Sequence, residues 1–287
     1  MTIFSIILPI YNVERYVAQC IKSILKQSYA DFELICVNDC TQDNSMQIIE
    51  KFAQHDSRVK IINLEKNMGL GHARNIGIKN AVGKYLLCVD SDDWIETFSL
   101  QKIYDAFNNS DTDSVWFKYL RYDEDYGLAC FDYDNNIFLH TTEQDLTIKA
   151  EYIFMYAGYA WNKAYKLELI KKSNIKWLEG AYFEDNYFYV DYFAAFPRIH
   201  VLNEFLYFYR KRKGSIISFA DEKKIADIFY SLSKTYELIL LKNYSSDYLK
   251  SLKMYANNIY NKLSKTQGEQ FSTTIEKSYQ KFLEKTV

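Results

Sequence analysis

The sequence predicts an α/β fold: a Rossmann-like parallel nucleotide-binding sheet, then an aromatic-rich region, then a C-terminal helical segment. Two observations lead there. Residues 1–110 alternate short apolar runs with helical periods, the pattern of βαβ units. From residue 221 onward Ile225, Ile228, Phe229 and Leu232 recur at core-facing helical spacing.

Taken in order, residues 4–8 read as a buried strand. Asn12 is placed to cap a helix whose Val17, Cys20, Ile21, Ile24 and Leu25 share one face. Residues 34–37 give a second strand. Asn44 with Gln47 three positions on reads as a capping box, opening a helix that buries Ile48, Ile49 and Phe52 ahead of a third strand at 59–62. Gly69 and Gly71 lead into a helix carrying Ala73, Ile76 and Ala81, which stops near Gly83 before a fourth strand at 85–89. Beyond residue 110 the rhythm fades: residues 111–136 read as strands and loops, and a helix is expected near Thr141 with Gln144 as its capping partner. Residues 152–209 are dense in aromatics.

Bulk properties narrow the class. A chain of 287 residues that is 48% hydrophobic with two prolines can bury a full core, which excludes a disordered or collagen-like chain. A net charge of -2 gives no electrostatic case for nucleic acid as a partner. The cysteines, Cys20, Cys36, Cys40, Cys88 and Cys130, are odd in number and lack C-x-x-C spacing, which favours a reducing compartment. The apolar start is broken by Pro9 and has no basic leader, so a cytoplasmic protein is expected, with scattered lysines that permit peripheral contact with the inner membrane face.

In open parallel sheets the ligand crevice lies outside the carboxyl ends of the strands. Here the segments at those ends are polar, and the fourth is Asp90-Ser91-Asp92-Asp93. Carboxylates ~4 Å apart repel by about 4 kcal/mol at an effective dielectric near 20, so something must offset them. A hard divalent cation, Mn²⁺ or Mg²⁺, bound together with a diphosphate would do so. So would the N-terminus of a following helix, which welcomes negative charge.

Four stretches in order carry a resemblance: Ser5-Ile6-Ile7-Leu8-Pro9-Ile10-Tyr11-Asn12, Val37-Asn38-Asp39-Cys40-Thr41-Gln42-Asp43-Asn44-Ser45, Asn67-x-Gly69-x-Gly71-x-Ala73-Arg74-Asn75-x-Gly77 and Asp90-Ser91-Asp92-Asp93-Trp94. Together they resemble glycosyltransferase family 2, inverting enzymes of the GT-A fold that include bacterial polysaccharide and lipooligosaccharide synthases. Asn38 and Cys40 stand where the family usually has Asp and Gly, and Glu96-Thr97 where a proline is common.

The resemblance implies a UDP-sugar donor, a glycan or lipid-linked glycan acceptor and a Mn²⁺ or Mg²⁺ cofactor. It implies that residues 1–110 bind the donor, 111–220 bind the acceptor and catalyse, and 221–287 form the helical segment. Asp39 would accept from the pyrimidine ring N–H, with Pro9, Tyr11 and Asn12 along the base or ribose. Arg74 would reach the nucleotide or its diphosphate, Asp90 and Ser91 the ribose, and Asp92 the metal, with Asp93 either a supporting partner or the metal ligand itself. Glu184-Asp185 resembles the family's acidic pair, with Asp185 as base and Glu184 binding the acceptor or positioning the site. Trp161 would offer a face to an acceptor sugar. Arg210 and Arg212 begin a basic stretch, Arg210-Lys211-Arg212-Lys213-Gly214-Ser215, that resembles a loop closing over the diphosphate.

Two other classes compete. A haloacid-dehalogenase-type phosphatase also places two aspartates at a strand end, but its motif follows the first strand and wants a threonine two residues after the second aspartate. A non-catalytic nucleotide-sugar binder fits if Asp185 is misassigned. A dinucleotide-dependent oxidoreductase is disfavoured, because no G-x-G-x-x-G follows strand one.

Overall fold

The computed structural model describes residues 2–131, 142–156, 159–212 and 221–286. Its first half runs β1 (Phe4–Ile10), α1 (Val17–Leu25), β2 (Phe32–Asn38), α2 (Ser45–His55), β3 (Val59–Asn63), α3 (Leu70–Asn80), β4 (Tyr85–Cys88), β5 (Trp94–Ile95) and α4 (Ser99–Asn109). There follow β6 (Ser114–Asp123), β7 (Leu128–Phe131), β8 (Gln144–Thr147), a 3₁₀ turn at Ala150–Tyr152, α5 (Ile153–Tyr156), β9 (Lys163–Lys166), α6 (Leu167–Lys172), α7 (Asp185–Ala195), β10 (Arg198–Lys211), α8 (Glu222–Leu241) and α9 (Ser246–Thr286).

The strands form one sheet in the order β3-β2-β1-β4-β9-β6-β10-β5, with β7 added to β6 and β8 to β10. The first four pair in parallel, as the βαβ rhythm predicts. β9 then joins β4 antiparallel and pairs antiparallel with β6, so the sheet continues well past residue 110. Alternate residues of each strand enter two cores. Phe4, Ile6 and Leu8 pack with Val17, Ile21 and Ile24 of α1 and Ile103 of α4. Ile7, Ile35 and Leu86 face Ala73 of α3, Phe188 of α7, and Phe229 and Leu232 of α8. Burial on both faces explains why these strands are continuous apolar runs with no polar alternation.

Three local expectations are corrected. Asn12 does not cap α1; it sits at φ 53, in the left-handed region that Asn tolerates, and its backbone N–H donates to Thr41 Oγ1 at 2.7 Å. Asn44 precedes α2 but makes no capping bond with its side chain, which instead donates to Glu14 Oε2, while Asp43 Oδ1 accepts from the Ser45 N–H. Gln144 belongs to strand β8, paired with β10, and not to a helix; Thr141 lies outside the described residues. In the C-terminal pair, Asp221 caps α8 by accepting from the Lys224 N–H at 2.7 Å, and α9 bends at Phe271. Among the described residues no helix is long and apolar enough to cross a membrane.

Candidate active site

The turn after β4 and the start of α7 meet at Arg74 of α3. The glycines of α3 make that meeting possible. A Cβ on Gly71 would fall 2.1 Å from the Leu178 carbonyl oxygen, and one on Gly77 would fall 2.5 Å from the Ile7 side chain. With α3 so close, the Asn75 side chain bonds both backbone groups of Trp177, donating to its carbonyl and accepting from its N–H at 2.9 Å each. His72 pairs with Glu179 at 2.9 Å. The segment that leads to Glu184 is therefore docked on α3.

Arg74, 1% exposed, is the centre of the charge cluster. Its Nη1 lies 2.6 Å from Glu184 Oε1 and 3.1 Å from Asp185 Oδ1, and its Nη2 lies 3.0 Å from Asp90 Oδ1. Burial opposes its charge, yet the carboxylates of Asp185, Asp90 and Glu184 hold its pKa well above the ordinary value. Burial also pushes Glu184 up to about 7, with neighbouring Asp185 adding to the shift. Asp90 rises to about 6, from burial and from Asp92, against the pull of Arg74. Arg74, expected at the nucleotide or its diphosphate, has its guanidinium bonded to protein carboxylates, because its buried charge needs partners inside the fold.

Asp185 opens α7, with Glu184 as the residue before it. Its side chain is 25% exposed against 7% for Glu184, so Asp185 is the member of the pair that can meet a ligand. Close by, Lys163 is fully buried, donating to the Tyr159 carbonyl at 2.8 Å and to Asn162 Oδ1 at 2.6 Å, with its ammonium over the rings of Trp116 and Tyr189. Burial drives its pKa down to about 7, and Asp185 opposes the fall.

The aspartate cluster divides by environment. Asp93 is 1% exposed; its Oδ2 accepts from the Tyr207 hydroxyl at 2.7 Å and its Oδ1 from the Arg210 N–H at 2.6 Å. Burial, then the charges of Asp92 and Asp90, raise its pKa well above the carboxylate range. Asp93 thus fastens the turn to β10. Asp92 is more open, with its carboxylate 2.8 Å from Arg212 Nε. Ser91 is buried. No group of three or more His, Cys, Asp or Glu side chains among the described residues is arranged to hold a metal. Asp92 is the more open carboxylate of the cluster, and a single carboxylate beside diphosphate oxygens and water is a donor type that a hard divalent cation accepts.

The remaining expected residues sort the same way. Tyr11 is 47% exposed at the end of β1 and Asn12 is exposed beside it, whereas Pro9 is buried within β1, opposite Val37. Asp39 is buried, its two oxygens accepting from the N–H groups of Met68 at 2.7 Å and Gly69 at 2.9 Å, so it closes the loop into α3. Arg210 is buried against Trp94, with Nη2 on Gln19 Oε1 and Nε on the Asp92 carbonyl, a bracing role and not a free phosphate ligand. Arg212 is partly buried and paired with Asp92; Lys213, Gly214 and Ser215 lie outside the described residues. Trp161 is corrected too: it is 3% exposed and stacked on Tyr207 at 4.4 Å and Tyr159 at 4.7 Å, a core ring and not an open sugar face. Sequence reading missed Lys163 as an individual residue, as well as Asn75 and Tyr207; only Asn75 lay in a motif that could have flagged it.

Known proteins resemble this chain in sequence and in fold. The model of the family described as "Glycosyl transferase family 2" matches residues 5–169. The glycosyltransferase GlyG of Streptococcus pneumoniae serotype 4 is 32% identical over 228 residues, 75% of this chain and 73% of that protein. GlyA of the same organism is 30% identical over 288 residues, 97% of this chain but only 40% of that longer protein. TarS of Staphylococcus aureus, a poly(ribitol-phosphate) beta-N-acetylglucosaminyltransferase, is 30% identical over 224 residues, 76% of this chain and 37% of TarS. The crystal structure of TarS 1–349 with UDP-GlcNAc superposes with a TM-score of 0.83 at 25% identity, covering 100% of this chain and 82% of that one.

Proposed function

The chain belongs to glycosyl transferase family 2 and has its GT-A fold, and from that premise we propose that it moves a sugar from a UDP-sugar to a hydroxyl of a glycan or lipid-linked glycan by single displacement with inversion. The observation that carries this reading is the Arg74 clamp, which holds Asp90 at the end of β4 and Asp185 at the start of α7 on one guanidinium. A group on the donor side and a group on the acceptor side are thereby fixed relative to each other, as an in-line displacement requires.

Asp185, open enough to meet a ligand and oriented by Arg74, takes the proton of the acceptor hydroxyl. The acceptor oxygen bonds the anomeric carbon as the bond from that carbon to the diphosphate oxygen breaks, and UDP leaves with the electron pair. Glu184, largely inaccessible, positions Arg74 and Asp185. Tyr11 and Asn12 face the nucleotide, and Arg212 meets the departing diphosphate. A Mn²⁺ or Mg²⁺ held by Asp92 would neutralise charge on that diphosphate. TarS, whose structure holds UDP-GlcNAc and whose name specifies poly(ribitol-phosphate), supports UDP as the nucleotide and makes UDP-GlcNAc the first donor to try. Synthesis of cell-surface polysaccharide at the cytoplasmic membrane face is the setting this chemistry suits. A screen of nucleotide sugars with and without Mn²⁺ tests the reading: metal-stimulated UDP release supports it, and activity confined to phosphate release from sugar phosphates overturns it.

A further inference from the structure

We infer that the C-terminal helix α8 is part of the catalytic apparatus: Asp227 and Ser231 are positioning residues that hold the backbone turn at Tyr182 and Phe183 from which Glu184 and Asp185 project. The inference rests on the reading of Asp185 as base. Phe183 lies at φ 63, a left-handed backbone conformation that a bulky L-residue adopts only when its surroundings impose it. The surroundings here come from α8. The Tyr182 N–H donates to Asp227 Oδ2 at 3.1 Å, and the Ser231 hydroxyl donates to the Phe183 carbonyl at 2.7 Å. Asp227 and Ser231 are four residues apart and so share one helix face, and Ser231 is fully buried.

The same helix pair also holds the second half of α7. Asp191, 2% exposed, accepts from Lys242 Nζ at 2.6 Å and from the Tyr244 hydroxyl at 2.8 Å, both from the turn between α8 and α9. α7 is therefore held at its start and in its second half by residues beyond 169, where the family match stops. On the opposite side Asn75 fixes Trp177, so the acidic pair is gripped between α3 and α8. Rotating the Phe183 turn would swing Asp185 off Arg74, and displacements of about 1 Å in such groups cost on the order of 100-fold in rate.

The test compares Ser231→Ala, Asp227→Ala and Asp227→Asn with the parent chain by amide hydrogen exchange of the 180–186 segment and by transfer kinetics. The two alanine variants are expected to lose protection in that segment while α3 stays protected, and to lose kcat roughly 10- to 100-fold with UDP affinity unchanged. Asp227→Asn keeps an acceptor oxygen for the Tyr182 N–H and is expected to recover both. Unchanged exchange at 180–186 in both alanine variants overturns the inference, and so does loss of protection spread evenly over the chain. If the parent chain transfers no sugar, the proposed activity fails, yet the exchange data still decide whether α8 holds this turn.

Discussion

The Arg74 guanidinium joins Glu184, 110 positions away in the sequence, at 2.6 Å, and the same nitrogen reaches Asp185 at 3.1 Å. Removing it should be costly in a pH-dependent way. Arg74→Met strands Asp90, Glu184 and Asp185 without a counter-charge, and loss of one partner of a buried pair costs about 3–5 kcal/mol. Glu184 already titrates near 7 and Asp90 near 6, so lowering the pH to 5 protonates them and relieves the stranded charge. Urea unfolding at pH 8 and pH 5 should show a larger deficit at pH 8. Equal deficits would mean the clamp is not electrostatic.

Lys163 predicts the opposite slope. Burial lowers its pKa from 10.5 to about 7, so between those values the unfolded chain holds a proton that the folded chain has released. Its contribution to stability is full above 10.5 and is lost as pH falls toward 7. Lys163→Met should flatten the pH dependence of Tm between pH 7 and 10 relative to the parent chain. Parallel curves would contradict the assignment.

Asp92 and Asp93 should separate cleanly. Asp92→Ala is expected to weaken UDP binding about 10- to 100-fold, the loss of one charged contact, and to abolish its dependence on Mn²⁺. Asp93→Ala removes the acceptor for Tyr207 and for the Arg210 N–H; it should cost about 1–3 kcal/mol of stability and leave metal dependence in place. Titration calorimetry with and without metal, beside thermal unfolding, distinguishes the two.

Trp161 should behave as core. Trp161→Ala is expected to cost about 3–5 kcal/mol, because its ring packs against Tyr207, Tyr159 and Tyr209. Trp161→Phe should fold and keep the acceptor KM within about twofold, since truncating a ring that no ligand reaches changes no binding contact. A raised acceptor KM with intact stability would restore it to the acceptor face.

The donor-side fold was legible because parallel strands covered on both faces read as continuous apolar runs, with glycines where α3 must approach. The antiparallel half was not: β10 carries no short-range signal for pairing with β6, β8 and β5, and those partners lie far away in sequence. Residue types at the site were legible, but their partners were not. Arg74 reads in sequence as an anion ligand, and only the fold reveals that its anions are Asp90, Glu184 and Asp185. Asp39, Asp93 and Arg210 likewise sit in the expected motifs while spending their hydrogen bonds on the protein's own backbone and side chains. Asp227 and Ser231 had no motif to announce them.

The base assignment decides the account. Asp185→Asn keeps an oxygen for Arg74 and should fold and bind UDP as the parent chain does, so UDP release from a UDP-sugar in the presence of a glycan or polyol-phosphate acceptor isolates proton removal. Transfer should fall by about 100- to 10,000-fold. Normal turnover in Asp185→Asn would contradict it.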